Sequence, residues 1–562
     1  MAAGGSSRKT ILLALLVAAV IPYFLNLGVS SLWDANEAFY AQTPREMIAA
    51  SDYVNPTFNF QPRFNKPVFS YWEVAAAYRL FGVSEFSERL PIAVSGVILI
   101  AVAFGLARLI GGTHAGLLAA VVLASSPRVL LLARRIIIDV QIAMFTGLVL
   151  LCFALSEMRP ERRRLYLVLM YIAAGFGVLT KGPVAVFLPG LVFLAYLASR
   201  KRLRDVSRMM LPLGATIGLA IVAPWYYLVY RQHGWGHITS FIVGENLERF
   251  AAAIGAQSRG LLFYIPVMLG DLFPWSLFIP VALWWGVRAR AHPVARLLVM
   301  WVAVFVVFFS LSGTKEDLYI LPIVTAEAAL IGAMMSARAG RAGPPASEEE
   351  PRLGGAVSDS VARWVSVGTG CLLAVAGAVL VWAFGVSHRY TLAGASAIGL
   401  VAAAGGVVAV IMADRRHVFG AVAAVAGALV VLSWSVVLVS LPDFERYKPV
   451  RPFADIIRSR ASEKGIVGSY KSSLPSMVYY LNRPIVVLES PDELLETFSS
   501  TSDIHFVMPE AEYQRMKDRL SSPTYVLAHR RLFDIRPKNF LDGSELPELV
   551  LISNRPGTAA AR

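Results

Sequence analysis

Cysteine and charge are both scarce in this chain of 562 residues. Only two cysteines occur, Cys152 and Cys371, and both lie inside apolar runs, so we predict neither a disulfide nor a cysteine metal site. Charged residues make up 16% of the sequence, hydrophobic residues make up 56%, and the mean hydropathy is +0.59. A soluble protein of this size needs more charge to cover its surface. The composition therefore excludes a purely soluble fold and predicts a membrane protein.

Two further features are absent. No internal repeat relates one half of the chain to the other, which weighs against the architecture of many transporters. The segment after residue 441 contains no glycine-rich phosphate-binding loop and no nucleophile motif, so we predict a structural or substrate-shielding role for it rather than catalysis.

Apolar runs of about 18 to 25 residues are abundant, and this length crosses a bilayer. Arg8 and Lys9 place the amino terminus inside and precede an uncleaved first helix. The strongly basic short loops then all fall on that inner face, which accounts for most of the net charge of +14. The segment 68–80 is apolar enough to dip into the bilayer, so the number of spans is open by one. We predict thirteen spans, near 11–28, 87–110, 114–131, 139–156, 164–179, 183–198, 209–230, 261–285, 294–312, 318–336, 363–386, 391–412 and 418–441.

This topology puts two long segments on the outer face, the first outer loop over residues 29–85 and the tail over residues 442–562. We predict that residues 1–441 form a transmembrane domain. The tail is expected to form a small α/β domain, because short strands alternate with helices along it. The strands are predicted at 465–470, 484–488, 504–508 and 524–528, and the helices at 474–481, 491–498 and 510–520. The inner segment 343–350 has the composition of a linker.

The first outer loop is the densest polar segment next to the predicted membrane. Asp34 and Glu37 directly follow a span, where a general base working at the outer surface would be required. Arg63 and Lys66 lie beside aromatic residues and suit the binding of an anionic lipid headgroup. The alternative is that these basic and aromatic side chains only anchor the loop at the interface.

Four short motifs in this loop resemble the superfamily of aminoarabinose transferases and protein O-mannosyltransferases, which share the GT-C fold. They are NEAFYA at 36–41, PREM at 44–47, FNKP at 64–67 and YW at 71–72. The bacterial aminoarabinose transferases are the most similar members, because they combine thirteen spans with an outer carboxy-terminal α/β domain. The resemblance implies a polytopic α-helical GT-C fold for this chain.

The same resemblance implies an inverting glycosyltransferase of a bacterial inner membrane. Such enzymes take a sugar from undecaprenyl phosphate, or a related polyprenyl phosphate, and pass it to lipid A, another glycolipid or a protein at the outer leaflet. One carboxylate accepts the proton of the acceptor hydroxyl, and cations stabilise the leaving phosphate. The donor is already activated by its phosphate, so no soluble cofactor is implied, and a metal requirement stays open. The sugar is expected to be aminoarabinose or a related sugar.

This sequence departs from the family at the acidic pair. The family has Asp-Glu, of which the Asp is the expected catalytic carboxylate, whereas this chain has Asn36 followed by Glu37. An amide cannot accept the proton, and Asp34 lies two residues earlier. Asp34 and Glu37 are therefore both candidates for the base.

Further candidates lie where later spans reach the outer face. Asp139 matches the second acidic position of the family, with Arg134 shortly before it. A carboxylate entering the bilayer is costly and usually functional, although pairing with an Arg is the structural alternative. Lys181 lies in LTKG at 179–182 and resembles a phosphate ligand of the family; the alternative is a lysine that reaches toward the interface.

The last candidates follow in two outer loops. Arg249, in ENLERF at 245–250, resembles an Arg that contacts the lipid phosphate. Lys315 and Tyr319, in TKEDLYILP at 314–322, are expected to lie one helical turn apart and to face one cavity, an arrangement that suits the binding of a phosphate. His237 and Glu245 do not have a recognised metal-ligand spacing, so we interpret them as part of a solvated loop.

Two classes of protein compete with the transferase. A lipid or solute transporter would place charges near the bilayer midplane, but here they gather at one face. A polysaccharide assembly or polymerase protein also has many spans, but its large loop normally lies late in the chain rather than first.

Overall fold

Helices make up most of the fold, and a mixed sheet follows them along the chain. The computed structural model describes residues 3–34, 36–239, 241, 243–244, 259–338, 357–387, 391–532 and 548–556. The helices of the amino-terminal half are α1 (Ala3–Val20), α2 (Asn36–Ala50), α3 (Phe69–Phe81), α4 (Glu85–Ala124), α5 (Pro127–Ala133), α6 (Ile138–Met158), α7 (Arg163–Lys181), α8 (Val184–Ser199), α9 (Leu211–His233) and α10 (Trp235–Thr239).

The later helices are shorter on average, and the last of them alternate with the strands of the sheet. They are α11 (Tyr264–Asp271), α12 (Phe278–Arg288), α13 (Pro293–Leu311), α14 (Val324–Arg338), α15 (Asp359–Val381), α16 (Ala395–Asp414), α17 (Val418–Ser435), α18 (Leu441–Phe444), α19 (Val450–Arg460), α20 (Ser476–Leu481), α21 (Pro491–Phe498) and α22 (Glu510–Met516). A 3-10 helix, Asp317–Ile323, leads into α14.

Nine helical segments of the described chain are long and apolar enough to cross a membrane, and two shorter apolar segments accompany them. The polytopic α-helical fold predicted from the sequence is therefore confirmed, whereas the number of thirteen spans stays a prediction. We use "outer" for the side that the predicted topology gives to residues 29–85. The linker predicted at 343–350 lies outside the described residues.

Helix α4 contains two of the predicted spans. Gly111 and Gly112 leave the helical conformation, and Gly112 has a φ of 72°, which a residue without a Cβ adopts readily. The chain turns back there, and a Cβ on Gly116 would lie 2.9 Å from the carbonyl oxygen of Phe104. The two halves of α4 thus pack against each other, which agrees with the separate spans predicted near 87–110 and 114–131.

Two predicted spans have different bounds in the structure. Helix α1 ends at Val20, followed by a 3-10 turn over Ile21–Tyr23, rather than continuing to residue 28. The span predicted at 261–285 is broken into α11 and α12. Pro274 lies at this break. Proline has no backbone N–H, so it cannot donate the hydrogen bond that would continue the helix.

Helices α15 and α16 approach each other through glycines. Gly377 of α15 lies so close to α16 that a Cβ on it would be 2.4 Å from the nitrogen of Ala403 and from the carbonyl oxygen of Gly399. Small residues permit such close packing between membrane helices, where dispersion contacts hold the helices together.

The strands of the tail form a five-stranded sheet in the order β4-β3-β5-β7-β6. They are β3 (Ile466–Tyr470), β4 (Val486–Leu488), β5 (Ile504–Pro509), β6 (Tyr525–Arg531) and β7 (Glu548–Ser553), while β1 (Thr57–Phe58) and β2 (Gln61–Pro62) form a separate hairpin in the first outer loop. Strand β3 runs parallel to β4 and β5, and β7 runs antiparallel to β5 and β6. Apolar residues cover both faces of the sheet.

Four of these strands lie where the sequence predicts strands, as do the three predicted helices of the tail. Strand β7 and helix α19 were not predicted. The boundary at residue 442 stays a prediction.

The tail rests directly on the first outer loop. Asn59 donates to the carbonyl oxygen of Ile485 and accepts from its N–H, at 2.9 and 2.8 Å. The hydroxyl oxygen of Tyr480 accepts from the N–H of Leu32 at 2.7 Å. These bonds join residues more than 400 positions apart in the sequence, so the loop and the tail determine each other's position.

Candidate active site

Glu37 forms a buried ion pair with Arg89, and the two side chains are 0% and 2% exposed. The guanidinium donates Nε and Nη2 to the two carboxylate oxygens, at 3.0 and 3.1 Å. The backbone N–H groups of Trp33 and Ile136 donate to the same carboxylate, at 2.7 and 3.1 Å. Burial alone would raise the pKa of Glu37, but the Arg89 guanidinium holds that pKa below its usual value.

The partners of Glu37 indicate its role. The carboxylate ties the start of the first outer loop, through Trp33, to the turn between α5 and α6, through Ile136. Four donors surround its two oxygens. This geometry favours a positioning role for Glu37 rather than that of a base.

Asp34 lies three residues before Glu37 in a different environment. Its Oδ1 accepts from the N–H of Ser476 and its Oδ2 accepts from the hydroxyl of Ser476, both at 2.7 Å. Asp34 is exposed to solvent as a residue, but protein atoms lie around its carboxylate, and this desolvation raises its pKa to about 6. A carboxylate of this pKa is ionised at neutral pH and is basic enough to accept a proton.

Two cations lie against the indole ring of Trp33, next to Asp34. The Nζ atom of Lys448 is 4.2 Å from the ring centroid, and the guanidinium carbon of Arg135 is 4.7 Å from it. Burial lowers the pKa of Lys448 to about 8 and also lowers the pKa of Arg135. Neither residue was predicted to belong to the site, because the sequence does not indicate that they meet at one aromatic ring.

Asp139, Lys181 and Tyr319 meet at the outer ends of three elements. Asp139 lies in the first turn of α6, Lys181 is the last residue of α7, and Tyr319 belongs to the 3-10 helix before α14. Lys181 donates to the Asp139 carboxylate, and its Nζ lies 5.4 Å from the centroid of the Tyr319 ring. The side chains of Asp139 and Lys181 are 15% and 17% exposed, so a ligand can approach this pair.

Arg134, predicted near Asp139, has a structural position. It donates to the carbonyl oxygens of Pro22, Leu25 and Asn26, at 2.7 Å for Leu25 and 3.1 Å for Asn26. Burial lowers its pKa to about 10. Arg134 therefore fixes the chain between α1 and the first outer loop, and Lys181 rather than an Arg is the ion-pair partner of Asp139.

The prediction that Lys315 and Tyr319 lie one helical turn apart is wrong. Residues 312 and 316, on either side of Lys315, have extended backbones, and the 3-10 helix begins only at Asp317. Lys315 is 7% exposed, and its Nζ donates to the carbonyl oxygen of Ser312 at 2.6 Å. A phosphate-binding role for Lys315 stays a prediction.

The other predicted phosphate ligands differ in how much the structure says of them. The guanidinium carbon of Arg63 lies 3.8 Å from the centroid of the Phe39 ring, and Lys66 is half-buried in the bend before α3. Arg249 lies outside the described residues, as does Glu245. Among the residues that are described, no group of three His, Cys, Asp or Glu side chains is placed to hold a metal ion.

A further carboxylate of the first outer loop, Glu73, was not predicted from the sequence. Glu73 is half-buried on α3 and accepts from the side-chain amide of Gln141. The amide oxygen of Gln141 accepts from the hydroxyl of Ser70 at 2.6 Å, so this network links α3 to α6. An acidic residue in an otherwise apolar helix was the available signal.

Known proteins share both sequence and fold with this chain. Residues 65–228 match the family model described as dolichyl-phosphate-mannose-protein mannosyltransferase. An undecaprenyl phosphate-alpha-4-amino-4-deoxy-L-arabinose arabinosyl transferase of Pseudomonas fluorescens is 31% identical over 329 residues, or 58% of this chain and 60% of that relative. The corresponding transferase of Pseudomonas aeruginosa strain UCBPP-PA14 is 31% identical over 332 residues, again 58% and 60% of the two chains.

The crystal structure of ArnT from Cupriavidus metallidurans in the apo state superposes with a TM-score of 0.78 over 100% of both chains, at 23% identity. The structure of the same protein bound to undecaprenyl phosphate gives a TM-score of 0.76 and covers 98% of this chain and 99% of that one. This chain therefore has the same fold as ArnT, the GT-C fold. The resemblance predicted from its motifs is confirmed.

The aligned part of this chain spans about 60% of the length of the curated relatives. The family model begins at residue 65, so it includes Lys66, Asp139 and Lys181 but neither Asp34 nor Glu37.

Proposed function

We propose that this chain is an inverting glycosyltransferase that moves a sugar, aminoarabinose or a related one, from undecaprenyl phosphate to a glycolipid such as lipid A. The reaction takes place at the outer leaflet of a bacterial inner membrane, with the tail on the periplasmic side. The observation that carries the proposal is the partly exposed group of Asp139, Lys181 and Tyr319, which offers a cation at one end of the helix bundle.

Asp34 acts as the general base. It accepts the proton of the acceptor hydroxyl while the oxygen forms a bond to the anomeric carbon of the sugar, and the bond from that carbon to the phosphate oxygen breaks on the opposite face. The electron pair of the broken bond leaves with the phosphate. Because the acceptor oxygen attacks from the opposite face, the configuration at the anomeric carbon inverts. A pKa of about 6 keeps Asp34 ionised at neutral pH, as this step requires.

Lys181 stabilises the negative charge of the leaving phosphate. An ammonium group has three donors, and Asp139 takes one of them, so donors remain for phosphate oxygens. Asp139 orients the lysine from the first turn of α6. Arg63 and Lys66 extend the positive surface along the first outer loop, and Glu37 holds that loop against the α5–α6 turn.

The test is a reconstituted assay in liposomes. Polyprenyl phosphates that carry aminoarabinose, mannose or other sugars are supplied as donors, and mass spectrometry follows sugar transfer to lipid A or to a peptide. We expect transfer to lipid A, which is lost in Asp34→Asn although the lipid donor still binds. Lys66→Ala should weaken donor binding sharply.

Asp359→Asn serves as the control, because Asp359 is 88% exposed and pairs with Arg338 away from the site. The proposal fails if no donor supports transfer and labelled lipid instead crosses the bilayer, which would identify a transporter. An active Asp34→Asn variant would leave the transferase in place but move the base to Asp139 or Glu37.

A further inference from the structure

We infer that Ser476 is a positioning residue for the reaction: it holds the Asp34 carboxylate in place and stabilises its ionised form through two hydrogen bonds. This inference rests on the proposed function, in which Asp34 is the base. It gives the tail a part in the chemistry, whereas the sequence indicates only a structural or shielding role for that region.

The contact between Ser476 and Asp34 is specific in geometry. Each carboxylate oxygen receives one hydrogen bond, from the N–H and from the hydroxyl of the same serine, both at 2.7 Å. Ser476 is fully buried, so water does not compete for its hydroxyl. Two donors on one residue fix both the position of the carboxylate and the rotation of its plane.

The helix that carries Ser476 is itself held on the first outer loop. The N–H of Leu32 donates to the hydroxyl oxygen of Tyr480 at 2.7 Å, and Arg45 donates to the carbonyl oxygen of Tyr479 at 3.0 Å. These contacts come from both sides of Asp34 in the sequence. Helix α20 is thus fixed relative to the loop. A rotation of the Asp34 carboxylate would therefore break its hydrogen bonds to Ser476.

Other charged groups near Asp34 are already engaged. Lys448 favours the ionised form of Asp34 and Glu37 opposes it. Lys448 donates to Ser30 and Ser31, and Glu37 is paired with Arg89. Arg135 lies across the Trp33 ring. Hydrogen bonds to the Asp34 oxygens therefore come from Ser476, within the part of the chain that the structure describes.

The experiment compares the pH dependence of kcat/KM for the wild type and two variants in the liposome assay. Ser476→Ala removes the hydroxyl donor but keeps the backbone N–H. A hydrogen bond to a carboxylate stabilises its ionised form, so the loss of this bond should move the acidic limb of the profile upward by about one pH unit. Turnover then falls roughly tenfold below pH 6 and changes little at pH 8. Ser476→Thr, which keeps a hydroxyl, should restore the wild-type limb.

The matched control is Asn59→Gly. It removes two hydrogen bonds between the loop and the tail, whereas Ser476→Ala removes one, and it does not touch Asp34. Glycine tolerates the φ of 55° at this position. We expect Asn59→Gly to leave the acidic limb of the kcat/KM profile at its wild-type pH. The inference is overturned if Ser476→Ala leaves the limb unmoved, or if Asn59→Gly moves it equally. Absence of sugar transfer by the wild type would instead overturn the proposed function.

Discussion

Two ion pairs at the same end of the helix bundle differ in almost every respect. The pair of Glu37 and Arg89 is fully enclosed, and backbone donors complete the surroundings of the carboxylate. The pair of Asp139 and Lys181 is partly open, and an aromatic ring lies beside the lysine. An enclosed charge pair can only hold segments together, whereas an open one can exchange its partner for a substrate. On this basis we assign the enclosed pair to the scaffold of the proposed site and the open pair to its proposed chemistry.

The largest expected effect is on stability, in Glu37→Gln. Removing one partner of a buried ion pair leaves an uncompensated charge, which costs about 3–5 kcal/mol. We expect a large decrease of the thermal unfolding midpoint in detergent. Asp359→Asn, in an exposed ion pair, should leave the midpoint unchanged. A Glu37→Gln variant that unfolds like the wild type but has no turnover would place Glu37 in the chemistry and remove the contrast.

Lys181→Met tests the open pair. Loss of a cation at the leaving phosphate should lower turnover about 100-fold or more, while the free energy of unfolding changes by at most about 1–2 kcal/mol. Initial rates and melting curves are measured on the same preparation. Lys471→Met removes a comparable lysine, paired with Glu512 in the tail, and should leave turnover unchanged. Wild-type turnover in Lys181→Met would contradict the assignment.

A change in membrane-helix packing separates stability from chemistry. Gly377→Ala forces a Cβ against the backbone of α16, and we expect a loss of about 1–3 kcal/mol in the free energy of unfolding. The folded fraction should turn over normally, because α15 and α16 carry none of the proposed site. Gly427→Ala in α17 has open space around the new Cβ and should not destabilise the fold. Equal melting of the two variants would refute the close-packing argument.

The smallest expected effect is on the pH dependence of the wild type. Because burial raises the pKa of Asp34 to about 6, and the base acts when deprotonated, kcat/KM should be level above that pH and should fall about tenfold per unit below it. Rates measured between about pH 4.5 and 8 test this. A limb near pH 4 would contradict the raised pKa of Asp34 and its role as the base.

Hydropathy and local periodicity made much of the fold predictable. The apolar runs marked helices, among them the separate spans near 87–110 and 114–131, and alternating short blocks marked four strands. Strand β7 was missed, although its sequence ELVLIS is mostly apolar. The break at Pro274 was missed because a long apolar run was interpreted as one helix.

The site was predictable only where a motif already pointed to it. Asp139, Lys181 and Tyr319 were named from separate motifs, and the fold brings them together. Arg89 and Ser476 could not be found in this way. They lie 52 and 442 positions from the carboxylates they contact, and side-chain pairing over such distances depends on packing rather than on local pattern.

The long-range bonds between the first outer loop and the tail also set an order for biosynthesis. Leu32 is made 448 residues before its partner Tyr480. At about 5–20 residues per second, a ribosome needs roughly 20 to 90 seconds to cover that distance. During this interval the loop lacks the groups of the tail that fix it. A chain whose translation stops early therefore inserts its helices without ever completing the region around Asp34, and only a fully translated chain acquires it.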